Sequence, residues 1–335
     1  MDILVNIDYI IDKCISLEKS FDDIIDILYI VYSNREFTHD TIRDRVEKIL
    51  SYKKQLSYLL TLPKIEQKTK EWYDARQSLI TASDFAQALG EGKFGTKKQL
   101  IQKKCGFEED FFNNSAPALK WGNMFEDVAC QIYAARCNRK IYDFGLLRHP
   151  KIEHFGASPD GISDCGIMLE IKCPFKRKID GTVPKQYYYQ IQGQLDVCEL
   201  NECDYFECEF FKSDNINEIF EQEYEYEKGV ILEKTDGTYV YSPSSYMFKK
   251  EDIEYWVNEN LTIDTLQVHY YVLTKSNCVR VYKDTEFLTS KLNELDIVWK
   301  EIKNYQADED LYNKEIKNTK SSNSSAYKLT GFSFV

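Results

Sequence analysis

Asp160, Glu170 and Lys172 are the residues of this chain best equipped for chemistry. Asp160 stands in Ser158-Pro-Asp160-Gly161. A turn signal from Ser163 to Gly166 follows, and then Ile167 to Cys173, which reads as a strand. Side chains alternate along a strand, so Glu170 and Lys172 share one face while Leu169 and Ile171 take the other. Two carboxylates and an ammonium on one surface can hold a hard divalent cation through oxygen ligands and keep a lysine beside it. That equipment suits metal-assisted cleavage of a phosphodiester. Taken alone, however, the same pattern is more often a surface ion pair, so the surrounding elements have to decide.

Helical spacing of Ile24, Leu28 and Val31, continued by Ile42, Val46, Leu50 and Leu56, predicts helices over residues 3 to about 60, with a cap between Thr38 and Asp40. After Leu62-Pro63 the character changes. Trp72 and Arg76 lie four apart on an expected helix, and Thr81-Ala-Ser83-Asp84 suits the cap of the next one. Trp121 and Gly122 are expected just before a helix whose apolar stripe is Phe125, Val128, Ala129 and Ile132, with Glu126 at its edge. Strands are expected at 143–147, 156–158 and 167–173, followed by a helix from Pro184 to Glu199. Beyond them come a strand at 205–211, a hairpin at 229–241 turning at Asp236-Gly237, a helix at 251–259, a strand at 267–273 and a helix at 287–305. This alternation indicates an α/β protein.

The composition, 43% hydrophobic and 29% charged, is that of a folded chain. No apolar run approaches the roughly 20 residues that span a bilayer, and acids scattered among the first apolar positions are unlike a signal peptide. An intracellular protein in a reducing compartment, with no membrane partner, is expected. The ten cysteines include no C-x-x-C pair. Cys198, Cys203 and Cys208 recur every five residues, but reduced thiols in the core are expected rather than an iron–sulfur cluster.

A net charge of −12 argues at first against nucleic acid. Its distribution weakens that objection: residues 66–199 hold 19 Lys and Arg against 18 Asp and Glu, whereas residues 199–227 hold 11 acids and a single lysine. Basic residues cluster at Lys93, Lys97, Lys98, Lys103 and Lys104, and again at Lys176, Arg177, Lys178 and Lys185. Lys97, Lys98, Lys176, Arg177 and Lys178 are candidates for contacts to a DNA backbone. The acidic block reads as a solvated face, or as a surface that repels DNA or docks a basic partner.

Six motifs bear on which chemistry is meant. In chain order they are Trp72-x3-Arg76, Ile80-Thr-Ala-Ser83, Trp121-Gly122-x3-Glu126, Ser158-Pro-Asp160-Gly161, Leu169-Glu-Ile-Lys-Cys-Pro-Phe175 and Tyr187-x2-Gln190-Ile-Gln192. Jointly they resemble the lambda-type exonucleases, also called YqaJ-type viral recombinases, of the PD-(D/E)xK nuclease superfamily. The resemblance covers roughly residues 66–200. It implies a central mixed β-sheet flanked by helices, with residues 63–212 and 265–305 as the nuclease core. Residues 1–62 would then be an N-terminal helical extension, 213–264 an acidic insertion carrying a hairpin and a helix, and 306–335 a polar, flexible tail.

The resemblance also implies roles. Asp160, Glu170, the backbone carbonyl of Ile171 and Glu126 would ligate one or two Mg²⁺ ions, with Mn²⁺ able to substitute. Lys172 would orient the attacking water or stabilise charge on the phosphate, and Gln190 would help position the site, with Tyr187 and Gln192 in support. Arg76, Ser83 and Ser158 would bind the 5′-terminal phosphate of DNA, Arg76 through a bidentate fork. Ser83 would otherwise be a plain helix cap and Arg76 a surface ion pair. Trp72 and Trp121 are expected in the core. The implied activity is an exonuclease degrading one strand of duplex DNA from 5′-phosphorylated ends, in recombination or repair. Its implied partners are double-stranded DNA ends, a single-strand annealing protein and further copies of the chain. The setting would be a viral protein acting in the host cytoplasm or nucleus. A structure-specific endonuclease with the same site, and a non-catalytic DNA-end binder, are the alternatives.

Overall fold

The computed structural model describes residues 3–32, 37–107, 116–221, 227–243 and 249–317. Three helices come first: α1 (Ile3–Ser16), α2 (Phe21–Tyr32) and α3 (His39–Leu59). Thr38 caps α3 by accepting from the Thr41 amide. Next come α4 (Lys70–Gln77), β1 (Ile80–Thr81), a 3-10 turn over Ala82–Asp84, α5 (Phe85–Ala88), α6 (Lys97–Cys105) and α7 (Pro117–Cys137). Strands β2 (Ile141–Tyr142), β3 (Leu147–Arg148), β4 (Phe155–Ala157), β5 (Gly161–Ser163) and β6 (Met168–Lys172) lead to α8 (Lys185–Val197) and β7 (Glu202–Ser213). The remainder is α9 (Ile216–Glu221), β8 (Lys228–Lys234), β9 (Tyr239–Tyr241), α10 (Lys250–Asn260), β10 (Thr265–Tyr282), α11 (Phe287–Ala307) and α12 (Glu309–Tyr312).

A mixed sheet runs in the order β2-β5-β6-β7-β10-β8-β9, and a smaller one in the order β1-β4-β3. β5 and β6 form an antiparallel hairpin. β6 and β7 are parallel, so the chain must cross over between them, and α8 is that crossover. One face of the sheet packs Met168, Cys203 and Tyr205 against α5, α6, α8 and α11. The other packs Leu169, Ile171, Phe206 and Phe210 against Phe125, Val128, Ala129 and Ile132 of α7. This is the helix-flanked mixed α/β architecture expected.

Several local expectations need correction. Trp121 and Gly122 do not precede α7 but sit in its second turn, because Pro117 occupies the first helical position, where its missing N–H costs nothing. The strand expected at 143–147 is split into β2 and β3, with a loop between. At its middle a Cβ on Gly145 would lie 1.7 Å from the Ile65 carbonyl oxygen, so only glycine admits that close passage. The tail is not flexible from 306 onward: α11 and α12 continue the chain, and Tyr312 and Ile316 are buried in the main core. The serine-rich stretch at 320–325 lies outside the described residues. Within the expected insertion, β8 pairs with β10 and prolongs the main sheet. Its helices α9 and α10 cover that part through Ile219 and Ile253.

The acidic block is no simple solvated face. Along β7, Glu202, Asp204 and Glu207 are buried. Arg280 donates to Asp204 and Glu202 at 2.5 Å each, and Arg45 donates to Glu202 and to Asp8. Through this ion-pair network α1 and α3 are fastened to the sheet. Burial raises the Glu202 carboxyl, but Arg45 and Arg280 outweigh it and hold the group below its ordinary range. Cys203 and Cys208, an odd spacing apart on β7, go to opposite faces of the sheet and do not converge with Cys198 on one site. Removing one cation from such a network leaves buried carboxylates unpaired. Arg45→Met is expected to lower stability by about 3 kcal/mol, read as a lower urea midpoint at unchanged slope. A change below about 0.5 kcal/mol would mean that the network is dispensable.

Candidate functional site

Glu170 is fully buried at the centre of β6 and faces α8 rather than α7. A buried carboxylate needs partners. Lys172, two residues along the same face, donates to its Oε1, and the Gln194 amide donates to its Oε2 at 2.8 Å. Asp160, just before β5, accepts the Ile171 backbone N–H at 2.7 Å, which fixes its carboxylate against the middle of β6. Glu126 reaches the same place from α7, and the Lys68 ammonium lies 3.5 Å from it. Tyr187 of α8 places its ring 5.1 Å from the Lys172 ammonium.

The electrostatics follow from this crowding. Burial, with Glu170 and Glu126 nearby, pushes the Asp160 carboxyl well above its usual range. Burial also raises the Glu126 carboxyl, against the pull of Lys68 and Lys172. For Lys172 burial acts downward, but Glu170 and Asp160 outweigh it and hold the ammonium firmly protonated.

A cleft of about 440 Å³ runs from these acids to a second group of residues. Arg76 donates to the Ser83 hydroxyl at 2.9 Å and lies over the Trp72 ring at 4.3 Å. The Trp72 indole N–H donates to the Ser158 hydroxyl at 3.0 Å. Arg76, Ser83 and Ser158, which belong to three separate segments, therefore meet in one wall of the cleft. Trp72 is not a core residue: it is half-buried and forms the floor beneath the Arg76 guanidinium. Trp121 does pack into the core, against Phe125 and Phe175. Ser83 lies within the 3-10 turn that leads into a helix of four residues, too short to contribute much of a dipole.

The remaining candidates divide. Gln190 lines the cleft together with Asp160 and Glu126. Gln192 does not reach it. It is buried on the opposite side of α8, donating to the Tyr282 carbonyl at 2.9 Å and accepting from the Asp284 amide at 2.8 Å, so it ties α8 to the end of β10. Gln194 takes the place at the acids instead, and among the described residues its Oε1 is a buried acceptor with no hydrogen-bond partner. Only its helical spacing from Gln190 could have pointed to it. Lys68 also escaped sequence reading, since a lone lysine in a loop carries no pattern. It adopts a left-handed backbone (φ 67°), and the preceding Gln67 donates to the Pro159 and Phe144 carbonyls.

Of the basic candidates, Lys97 is paired with Glu301 at 2.7 Å, and Arg177 donates to buried Glu207. Lys98 is half-buried on α6. Lys176 and Lys178 are exposed in the segment after β6, where a polyanion could meet them.

Among the described residues no three His, Cys, Asp or Glu side chains are already drawn together as a metal cage. The donor set nevertheless fits a hard divalent cation. Asp160, Glu126 and Glu170 offer carboxylate oxygens, their mutual repulsion is a surplus of negative charge that a cation relieves, and Gln194 adds an unpartnered acceptor beside them. No described helix is long and apolar enough to cross a membrane.

A mimivirus protein of uncharacterised function is 27% identical over 318 residues, covering 78% of this chain and 57% of the relative. A protein of African swine fever virus is 24% identical over 162 residues, 39% of this chain and 46% of the relative. The chain thus spans about half the length of these curated relatives. Among solved structures, an alkaline exonuclease from Laribacter hongkongensis superposes with a TM-score of 0.46 at 20% identity, covering 74% of this chain and 99% of the other. A phage-related exonuclease from Haemophilus somnus gives a TM-score of 0.40 at 13% identity, covering 71% and 98%. Residues 71–201, which carry Arg76, Ser83, Glu126, Ser158, Asp160, Glu170, Lys172 and Gln190, match the model of the YqaJ-like viral recombinase domain.

Proposed function

We propose that this protein is a Mg²⁺-dependent exonuclease that degrades one strand of duplex DNA from a 5′-phosphorylated end. One observation carries the reading: a single cleft joins the acids Glu126 and Asp160 to Arg76, Ser83 and Ser158. An enzyme that needs a chain end must grip the terminus and present a nearby phosphodiester to its chemistry, and the cleft has room for both. The match to a viral recombinase domain and the viral relatives suit a role in recombination, in a viral protein acting within host cells.

Arg76 offers two parallel donors to a phosphate, and the Ser83 and Ser158 hydroxyls converge on the same volume. Asp160, Glu170 and Glu126, with the Ile171 carbonyl, would hold one or two Mg²⁺ ions. Bound there, the metal supplies Lewis-acid polarisation of the phosphate and a lower pKa for the attacking water. Lys172, fixed between Glu170 and the Tyr187 ring, presents its ammonium to charge developing on the phosphate oxygens. Gln194 orients Glu170, and Gln190 reaches the cleft one turn earlier on α8. Products would be a shortened strand and an exposed 3′ single strand suited to an annealing protein.

With Mg²⁺, linear 5′-phosphorylated duplex is expected to be consumed, the 5′-hydroxyl duplex to be cut about tenfold more slowly, the loss of one charge-assisted contact, and closed circular DNA to survive. Asp160→Asn and Glu170→Gln are each expected to reduce the rate about a hundredfold or more. Cutting of the circle would indicate an endonuclease instead. Tight binding without hydrolysis in Mg²⁺ or Mn²⁺ would indicate an end-binding protein.

The raised Asp160 carboxyl gives a second test. Stability from a group with a raised folded pKa is fully present below its unfolded pKa and is lost as pH rises through the folded value. At neutral pH the metal-free protein therefore carries an electrostatic cost at Asp160 that bound Mg²⁺ removes. Mg²⁺ is expected to raise Tm at neutral pH and less so in mild acid. Asp160→Asn is expected to raise the metal-free Tm and to abolish the Mg²⁺ increment. A wild-type Tm indifferent to Mg²⁺ at every pH would remove the metal assignment.

A further inference from the structure

Behind the phosphate wall lies a lysine that has no obvious reason to be inside the protein. Lys104 of α6 is 1% exposed. Its ammonium lies 2.8 Å from Asp84 Oδ2 and donates to the Arg76 carbonyl, also at 2.8 Å. Asp84 Oδ2 in turn accepts the Thr81 hydroxyl at 2.7 Å and the Thr81 amide at 3.2 Å. The Thr81 hydroxyl lies 3.0 Å from the Ser83 hydroxyl, which itself accepts from Arg76. One buried ion pair is thus bonded to the backbone that carries Arg76 and to the turn that carries Ser83.

Burying an ion pair generally stabilises a fold no better than apolar residues of the same size. Its value here is geometric. Arg76 sits on α4 and Ser83 on the turn after β1, and the Lys104–Asp84 pair is the element that touches both. The charge balance points the same way. Arg76, Lys103 and Lys104 face one acid, Asp84, with the Lys103 ammonium 3.6 Å from Asp84 Oδ1. Two positive charges are left over. Burial draws Lys104 down to about 8 and also lowers Arg76, although Asp84 opposes both shifts, so an anion nearby would favour the charged forms. A terminal phosphate monoester carries about −1.5 to −2 at neutral pH, whereas an internal diester carries a single negative charge.

Resting on the reading of this wall as a terminal-phosphate pocket, we propose that the Lys104–Asp84 pair positions Arg76 and Ser83. We further propose that Lys103 is an additional cation of the pocket, so that the site selects the dianionic end of a strand over its internal diesters. Lys104 is a positioning residue, while Lys103, which lines the cleft with a side chain 35% exposed, can meet the phosphate itself.

The test is equilibrium binding in EDTA, by fluorescence anisotropy, of two duplexes differing only in a 5′-phosphate or 5′-hydroxyl. Rates at saturating DNA with Mg²⁺ are measured alongside. Lys104→Met is expected to weaken binding of the phosphorylated end about tenfold, one charge-assisted contact, with less than about a twofold change for the hydroxyl end and the saturating rate retained. Lys104→Arg is expected to restore part of the preference. Lys103→Gln is expected to cost about threefold, for the phosphorylated end alone. A folded Lys104→Met protein with wild-type preference, or one that loses both ends equally, overturns the positioning role. If Lys104→Met does not fold, Lys103→Gln carries the test, and unchanged preference overturns the dianion pocket. Wild-type protein that binds both ends alike overturns the underlying reading of the pocket, whatever the variants do.

Discussion

A carboxylate with no access to water sits at the centre of this fold, and much of the site is arranged to satisfy it. Glu170 lies fully buried in the middle of the mixed sheet. Left alone, a charge there would cost several kcal/mol. Lys172 and Gln194 remove that cost, one from the same strand and one from the crossover helix. Because β6 and β7 are parallel, a crossover has to exist, and its placement against β6 brings Gln194, Gln190 and Tyr187 to the acids. Gly193 helps: a Cβ there would lie 3.0 Å from Phe155 and 3.1 Å from Ala82, so its absence lets the helix close onto β4 and the turn that holds Ser83.

The same economy of partners governs the acids that follow residue 199. Three of the acids on β7 point inward: Glu202 and Asp204 meet Arg45 and Arg280, and Glu207 meets Arg177. Those arginines tie distant segments of the protein together. Cations that line the cleft are specifically placed: Arg76 and Lys103 in its wall, and Lys68 beside Glu126. Recognition of a single phosphate at the end of a chain needs local geometry more than overall charge.

Local order was legible before the fold was known. Helical spacing marked α2 and α3, Asp236-Gly237 marked the turn between β8 and β9, and strand alternation put Glu170 and Lys172 on one face. Asp160, Glu126, Arg76, Ser83 and Ser158 could be singled out because motifs bind residue types to short spacings. Boundaries were less legible where a long-range contact decides them. The loop at 143–146 exists because Gly145 passes the Ile65 carbonyl, and residues 306–317 are ordered because Tyr312 and Ile316 find the main core.

By itself, then, the amino-acid sequence marked out the candidate acids and the stretch that matches a viral recombinase domain, since each depends on residue type and near spacing. Only the tertiary structure decided that Gln194 touches Glu170 while Gln192 faces away, a matter of how α8 is rotated on the sheet. It alone turned Trp72 from a core residue into the floor of a pocket, tied Lys97 and Arg177 into ion pairs, and placed Lys104 inside. The physical reason is common to all of these. A side chain's partner is set by which distant segments the core brings within about 3 Å, and spacing along the chain carries no record of that distance.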